Sequence, residues 1–188
     1  RGPDDNGHFA DSTRGFLNVR LSIVDIAGGS QPMFSLGGDI GIVYNGEVYN
    51  FPQLRSELES KGHSFETNCD TEVVLKLYQE YGTEAFAKLN GMFAFCIWDK
   101  RYDVTYIARD SFGTKPLYYY EDDKAIVFAS EQKAILQLPD LDLELDPAGF
   151  QDYLTFRYIH APFTIFKRIR RLEAGTFLRY KDGRLSQF

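Results

Sequence analysis

Histidine, cysteine and tryptophan are scarce in this chain of 188 residues, which carries three, two and one of them. Two cysteines, Cys69 and Cys96, cannot build a disulfide framework, and neither stands at metal-ligand spacing from another ligand. The histidines His8, His63 and His160 are scattered, so no metal site is expected. No apolar run approaches the roughly 20 residues that a membrane-spanning helix needs. No basic-then-apolar leader opens the chain. The expectation is a reducing cytoplasm and no membrane partner. Positive charge is not in excess either: a net charge of -6 argues against a nucleic-acid partner.

What the chain does have is aromatic bulk. Twelve Tyr and sixteen Phe within a 44% hydrophobic composition suit packed β-sheets, and the length suits one well-buried domain. The opening Arg1-Gly2-Pro3-Asp4-Asp5-Asn6-Gly7 lacks Met and already forms turns. It reads as a segment cut from inside a longer protein, and Gly183-Arg184-Leu185-Ser186-Gln187-Phe188 stops in what reads as a strand.

Alternation predicts strands over 17–25 and 40–44, with a loop at Ala27-Gly28-Gly29-Ser30-Gln31-Pro32 between them. That loop lacks the Lys of a phosphate loop and runs into Gln-Pro instead of a helix, so it is a plain loop. Asn50 is placed to cap a helix with Pro52 in its first turn and Leu54 and Leu58 on one face. A second helix carries Val74, Leu77, Tyr78 and Tyr81 at helical spacing and stops at Gly82. From Met92 the pattern turns to hairpins: 92–98 with 104–108, 117–120 with 126–129, and 177–180 with 184–188. Short helices are predicted over 131–137 and 147–155, the latter capped by Asp146. Helices between antiparallel pairs imply an α+β layered fold.

The most informative stretch is Tyr44-Asn45-Gly46-Glu47-Val48-Tyr49-Asn50. An Asn-Gly pair at the end of an apolar strand offers a side-chain amide and a backbone N–H, the two donors an oxyanion needs. Asn-Gly is also the commonest hairpin-turn pair, but here a helix signal follows, not a return strand. Upstream lies Arg20, whose guanidinium fork suits a carboxylate, although an arginine at a strand end is commonly a surface charge. Downstream lies Asp70, either a helix N-cap or the partner of an ammonium group. Arg109-Asp110-Ser111-Phe112-Gly113 reads as a structural corner, with Arg109 paired to Asp110 and Gly113 in a left-handed turn. Lys167, Arg168, Arg170 and Arg171 read as a solvated basic face or a contact to another domain.

Several motifs occur together in order: Arg1-Gly2-Pro3-Asp4, Arg20-Leu21-Ser22-Ile23-Val24-Asp25, Tyr44 to Asn50, Cys69-Asp70-Thr71-Glu72-Val73, Leu89 to Phe95, Ala108 to Tyr119 and Phe128 to Ala134. Together they resemble the glutaminase domain of class II glutamine amidotransferases, most of all that of glutamine-hydrolysing asparagine synthetases. The resemblance implies a four-layer αββα sandwich of the N-terminal nucleophile hydrolase type, here truncated at the N-terminus. It makes residues 1–188 a type 2 glutamine amidotransferase domain lacking its nucleophile segment, with a synthetase domain expected downstream. By the same resemblance, Arg20 clamps the α-carboxylate of L-glutamine and Asp70 pairs with its α-ammonium. The Asn45 side chain and Gly46 N–H form the oxyanion hole, while Glu47 contacts the substrate or orders the loop. The nucleophile is an N-terminal Cys upstream of the Arg-Gly-Pro-Asp motif, so these residues alone are expected to be inactive. Cys69 is a poor substitute, because a neighbouring carboxylate raises a thiol's pKa, and Cys96 reads as core. No cofactor is implied in this domain; ATP and Mg2+ belong to the synthetase domain of the same polypeptide, where aspartate would be amidated. The alternatives are an amidotransferase for another acceptor, a glutamine-binding module without a nucleophile, and a purely structural domain. The pattern leaves room for a homodimer and does not decide it.

Overall fold

The computed structural model describes residues 2, 4–21, 25 and 28–188. The Arg1 and Pro3 positions of the first motif and residues 22–24, 26 and 27 lie outside the described residues. Among the described residues, the chain order is β1 (Asp5–Ala10), β2 (Gly15–Arg20), β3 (Met33–Phe34), β4 (Ile40–Val48), α1 (Phe51–Ser60), α2 (Asp70–Tyr81), a 3-10 turn, α3 (Ala85–Lys88), β5 (Gly91–Asp99) and β6 (Val104–Arg109). There follow β7 (Tyr118–Glu121), β8 (Ile126–Ala129), α4 (Gln132–Ile135), α5 (Pro147–Phe156), β9 (Ile169–Arg171), β10 (Phe177–Lys181) and β11 (Arg184–Gln187).

A six-stranded antiparallel sheet, in the order β11-β10-β6-β5-β4-β3, forms the centre. Its middle strands are buried on both faces, which is why Phe93-Ala94-Phe95-Cys96-Ile97-Trp98 reads as an unbroken apolar run. Odd residues Phe93, Phe95 and Ile97 pack with Ile40, Ile42 and Tyr44 of β4 against α2. Even residues Ala94, Cys96 and Trp98 face the opposite way, onto Phe16 of β2 and Tyr119 of β7. The β1-β2 hairpin and the three-stranded β8-β7-β9 sheet make that second layer. Beyond it, Ile135 of α4 packs on Tyr120 and Ile169. Helix, sheet, sheet and helix give the four layers expected.

Several local expectations need correcting. β2 ends at Arg20, and neither Leu21 nor Asp25 is in a strand. β4 runs on through Val48 because β5 offers a partner for every residue from Ile40 to Val48. Asn50 precedes α1 but makes no cap bond. Its side chain instead donates to the Lys88 carbonyl at 2.9 Å and accepts from Asn90 N–H at 3.0 Å, fastening α1 to the turn before β5. Asp146 does cap α5, accepting from Ala148 N–H at 2.9 Å.

Candidate active site

Arg20 closes β2, and its guanidinium reaches Asp25 and Gly29. Its Nη2 donates to the Asp25 carbonyl at 2.8 Å, and a Cβ on residue 29 would stand 2.3 Å from that nitrogen, so Gly29 makes room for the guanidinium. The Asp25 carboxylate serves other partners. Oδ2 accepts from Asn68 N–H at 2.8 Å and Oδ1 from Gly28 N–H at 2.9 Å. Those two amides hold its pKa below the usual carboxylate range. One residue thereby joins the end of β2 to the entry of α2.

Asp70 is the first residue of α2 and is only 5% exposed. Neither it nor Thr71 caps the helix; Cys69 holds the cap position without a side-chain bond. Asp70 Oδ2 instead accepts from the Tyr44 hydroxyl at 2.7 Å and from Val48 N–H at 3.0 Å. Burial, and after it the adjoining Asp70 charge, raises the Tyr44 pKa far above its ordinary value, so the hydroxyl remains a donor. Among the described residues no Lys, Arg or His pairs with Asp70. A buried carboxylate without a cation is costly to the fold, and an arriving ammonium group would lower that cost. Glu72, two residues further on, reaches back to the preceding loop. It accepts from Thr67 N–H at 2.7 Å and from Glu66 N–H at 3.0 Å, which fixes the approach to Asp70.

Asn45, Gly46 and Glu47 lie within β4, opposite Ala94, Phe93 and Met92, so the Asn-Gly pair is not a turn. The even peptide groups of β4 face away from β5: Tyr44 N–H goes to Gln31 Oε1 at 2.6 Å, and Val48 N–H goes to Asp70. Gly46 falls between these two. Phe93, opposite it, donates its N–H to Asp110 Oδ2 at 3.2 Å and accepts from Asp110 N–H at 2.9 Å. Only glycine fits at 46, because a Cβ there would stand 2.3 Å from the Met92 carbonyl oxygen. Asn45 is on the same strand face as Val43, toward the second sheet, and its Nδ2 donates to Ser130 Oγ at 3.4 Å. Ser130 escaped the residue-by-residue reading; its signal was its place in the motif that ends β8. Glu47 is half-buried and has no ion pair among the described residues.

Both thiols are buried. Cys69 is buried, with Sγ 3.0 Å from Thr67 Oγ1. Burial, more than the neighbouring Asp70 and Glu72 charges, raises its pKa. That corrects the expected cause while leaving the outcome. Cys96 sits between the two sheets, where burial raises its pKa strongly.

The Arg109–Asp110 corner also differs from expectation, since the two side chains grip backbone instead of each other. Arg109 donates to the Lys115 carbonyl at 2.7 Å and the Leu172 carbonyl at 2.6 Å. Asp110 accepts from the N–H groups of Phe93, Phe112, Thr114 and Lys115. Gly113 takes the left-handed conformation at φ 62°. The basic cluster near β9 is partly neutralised, with Lys167 on Glu144 and Arg168 on Asp142.

Two antiparallel sheets packed face to face between helices form a four-layer sandwich of the N-terminal nucleophile hydrolase type, and a glycine-bearing strand lies beside a buried carboxylate in it. A solved structure of similar fold is the glutamine phosphoribosylpyrophosphate amidotransferase from B. subtilis complexed with ADP and GMP. It matches with a TM-score of 0.65 at 23% identity, over 93% of this chain and 34% of that one. A sequence profile of the glutamine amidotransferase domain matches residues 1–188. The chain belongs to this family, in its class II branch. Among its relatives is asparagine synthetase [glutamine-hydrolyzing] 1 of Bacillus subtilis, 44% identical over 97% of this chain and 29% of that protein. Another is the putative asparagine synthetase [glutamine-hydrolyzing] of Mycobacterium tuberculosis, 39% identical over 99% of this chain and 30% of that protein. The chain therefore spans less than a third of the length of either of these two relatives. Among the described residues, no helix is long and apolar enough to cross a membrane.

Proposed function

We propose that these residues form the glutamine-hydrolysing part of an asparagine synthetase that releases ammonia from L-glutamine for ATP-dependent amidation of aspartate. The observation that carries the reading is the Asp70 carboxylate: buried, bonded to β4 at Val48 two residues past Gly46, and matched by no cation among the described residues. An α-amino acid placed there sets its ammonium on Asp70 and its carboxylate on Arg20, with its side-chain amide toward Asn45 and Gly46. A thiolate then attacks the amide carbon, and the oxygen takes the charge under the Asn45 amide and Gly46 N–H. The C–N bond breaks, the nitrogen leaves as ammonia, and water hydrolyses the thioester to glutamate. Glu47 orders the strand end or meets the substrate.

The thiol comes from outside residues 1–188, because Cys69 and Cys96 are both buried and their thiolates suppressed. These residues alone therefore bind glutamine without turning it over. ATP and Mg2+ act in another part of the polypeptide, in the cytoplasm. Aspartate is favoured over another acceptor because the relatives matched at 39–44% identity are named asparagine synthetases. Calorimetry on the native polypeptide tests the site: Arg20→Ala and Asp70→Ala each lose glutamine binding while the fold stays intact. Unchanged affinity in both variants removes the substrate assignment.

A further inference from the structure

Helix α5 rests on the fold through its backbone. A Cβ on residue 149 would stand 2.0 Å from the Thr164 carbonyl oxygen, and Gly149 is the only buried residue of the helix. The large apolar side chains face outward: Phe150, Tyr153, Leu154 and Phe156 are 48, 45, 61 and 61% exposed. The first three follow the spacing of one helical face. A helix apolar around most of its circumference belongs in an interior, and a contiguous apolar face on a folded domain marks a contact surface. Beside this face, Arg157 and Arg171 line a groove with Tyr118, Tyr153 and Tyr158. Arg171 Nε is buried without an acceptor, and neither arginine has a carboxylate partner among the described residues.

We infer that this face docks another part of the same polypeptide, one that brings an apolar surface and at least one Asp or Glu into the Arg157–Arg171 groove. The inference rests on the reading above, in which these residues are one part of a longer enzyme. Relatives 44% and 40% identical devote 29% and 30% of their length to the matched region, so most of such a polypeptide lies outside it. A second copy of this chain would repeat the same cationic groove and supply no carboxylate from it.

Hydroxyl-radical footprinting of the native polypeptide decides the matter. Tyr102, 62% exposed and remote in sequence, is the internal reference. Phe150, Tyr153 and Phe156 should oxidise at about one-fifth of its rate or less, as residues in a desolvated interface do, and at every protein concentration. Oxidation at the Tyr102 rate in a polypeptide of synthetase length overturns the docking while leaving the glutaminase reading intact. Protection that vanishes on dilution assigns the face to a second copy and also overturns it. An intact mass no larger than 21.6 kDa overturns both readings.

Discussion

Replacing Tyr44 by Phe removes one oxygen from a buried site and tests how Asp70 is held. The hydroxyl lies 2.7 Å from Asp70 Oδ2, and its loss leaves that oxygen with the single Val48 N–H at 3.0 Å. A hydrogen bond to a charged group contributes about 1.5–3 kcal/mol, so Tyr44→Phe should cost about 2 kcal/mol at neutral pH. For a chain of this length that lowers Tm by about 4–8 °C. The pH dependence gives a sharper check. Burial and the Asp70 charge raise the Tyr44 pKa from its ordinary 10.0. A group raised on folding contributes its full stability below the unfolded value and loses it as pH climbs above that value. Above pH 10 the unfolded chain releases the Tyr44 proton while the folded chain keeps it. The wild type should therefore lose about 1.4 kcal/mol per pH unit more than the variant, and the gap between them should close. Urea titrations at pH 7, 9, 10 and 11 measure both effects. Equal stability at neutral pH, or parallel curves above pH 10, would refute the placement of the hydroxyl on Asp70.

Asn45→Ala in a turnover-competent enzyme should lower kcat about 100-fold or more with little change in KM, as loss of one oxyanion donor does; normal hydrolysis removes that role. Gly46→Ala places a methyl 2.3 Å from the Met92 carbonyl, so β4 and β5 must separate and stability should fall by about 1–3 kcal/mol in a denaturant titration. Burial pushes the Asp110 pKa up, but its four backbone donors outweigh burial and hold it below the ordinary 3.8. Its contribution is therefore present above that value and lost as pH falls below it. Asp110→Asn should lower neutral stability and flatten the acid limb, and an unchanged limb below pH 4 would remove Asp110 from the corner.

Long elements with a strong period were readable from the residues. The α2 apolar positions and the run from Phe93 to Trp98 specify their elements by local pattern alone, since both bury continuous surface. β1 was not readable. Asp5-Asn6-Gly7-His8-Phe9-Ala10 has little strand character and exists as one because β2 pairs with it from Gly15 to Arg20. The two-residue β3 and three-residue β9 were invisible for the same reason.

Chemistry-bearing residue types could be named from sequence: a guanidinium at 20, an amide and glycine at 45 and 46, a carboxylate at 70. Their order along the chain is that of the family, with no contact needed to see it. Sequence could not say how they are held. That Asp70 binds Tyr44 and the backbone of Val48 instead of capping its own helix depends on α2 packing against the edge of β4. That Asp25 links Arg20 to Asn68, which lies 43 positions beyond Asp25, is an arrangement for which the composition of the intervening chain carries no instruction. Side-chain type is a local property of the chain, whereas the direction of a buried hydrogen bond is decided by which backbone groups the packed layers bring within about 3 Å of it.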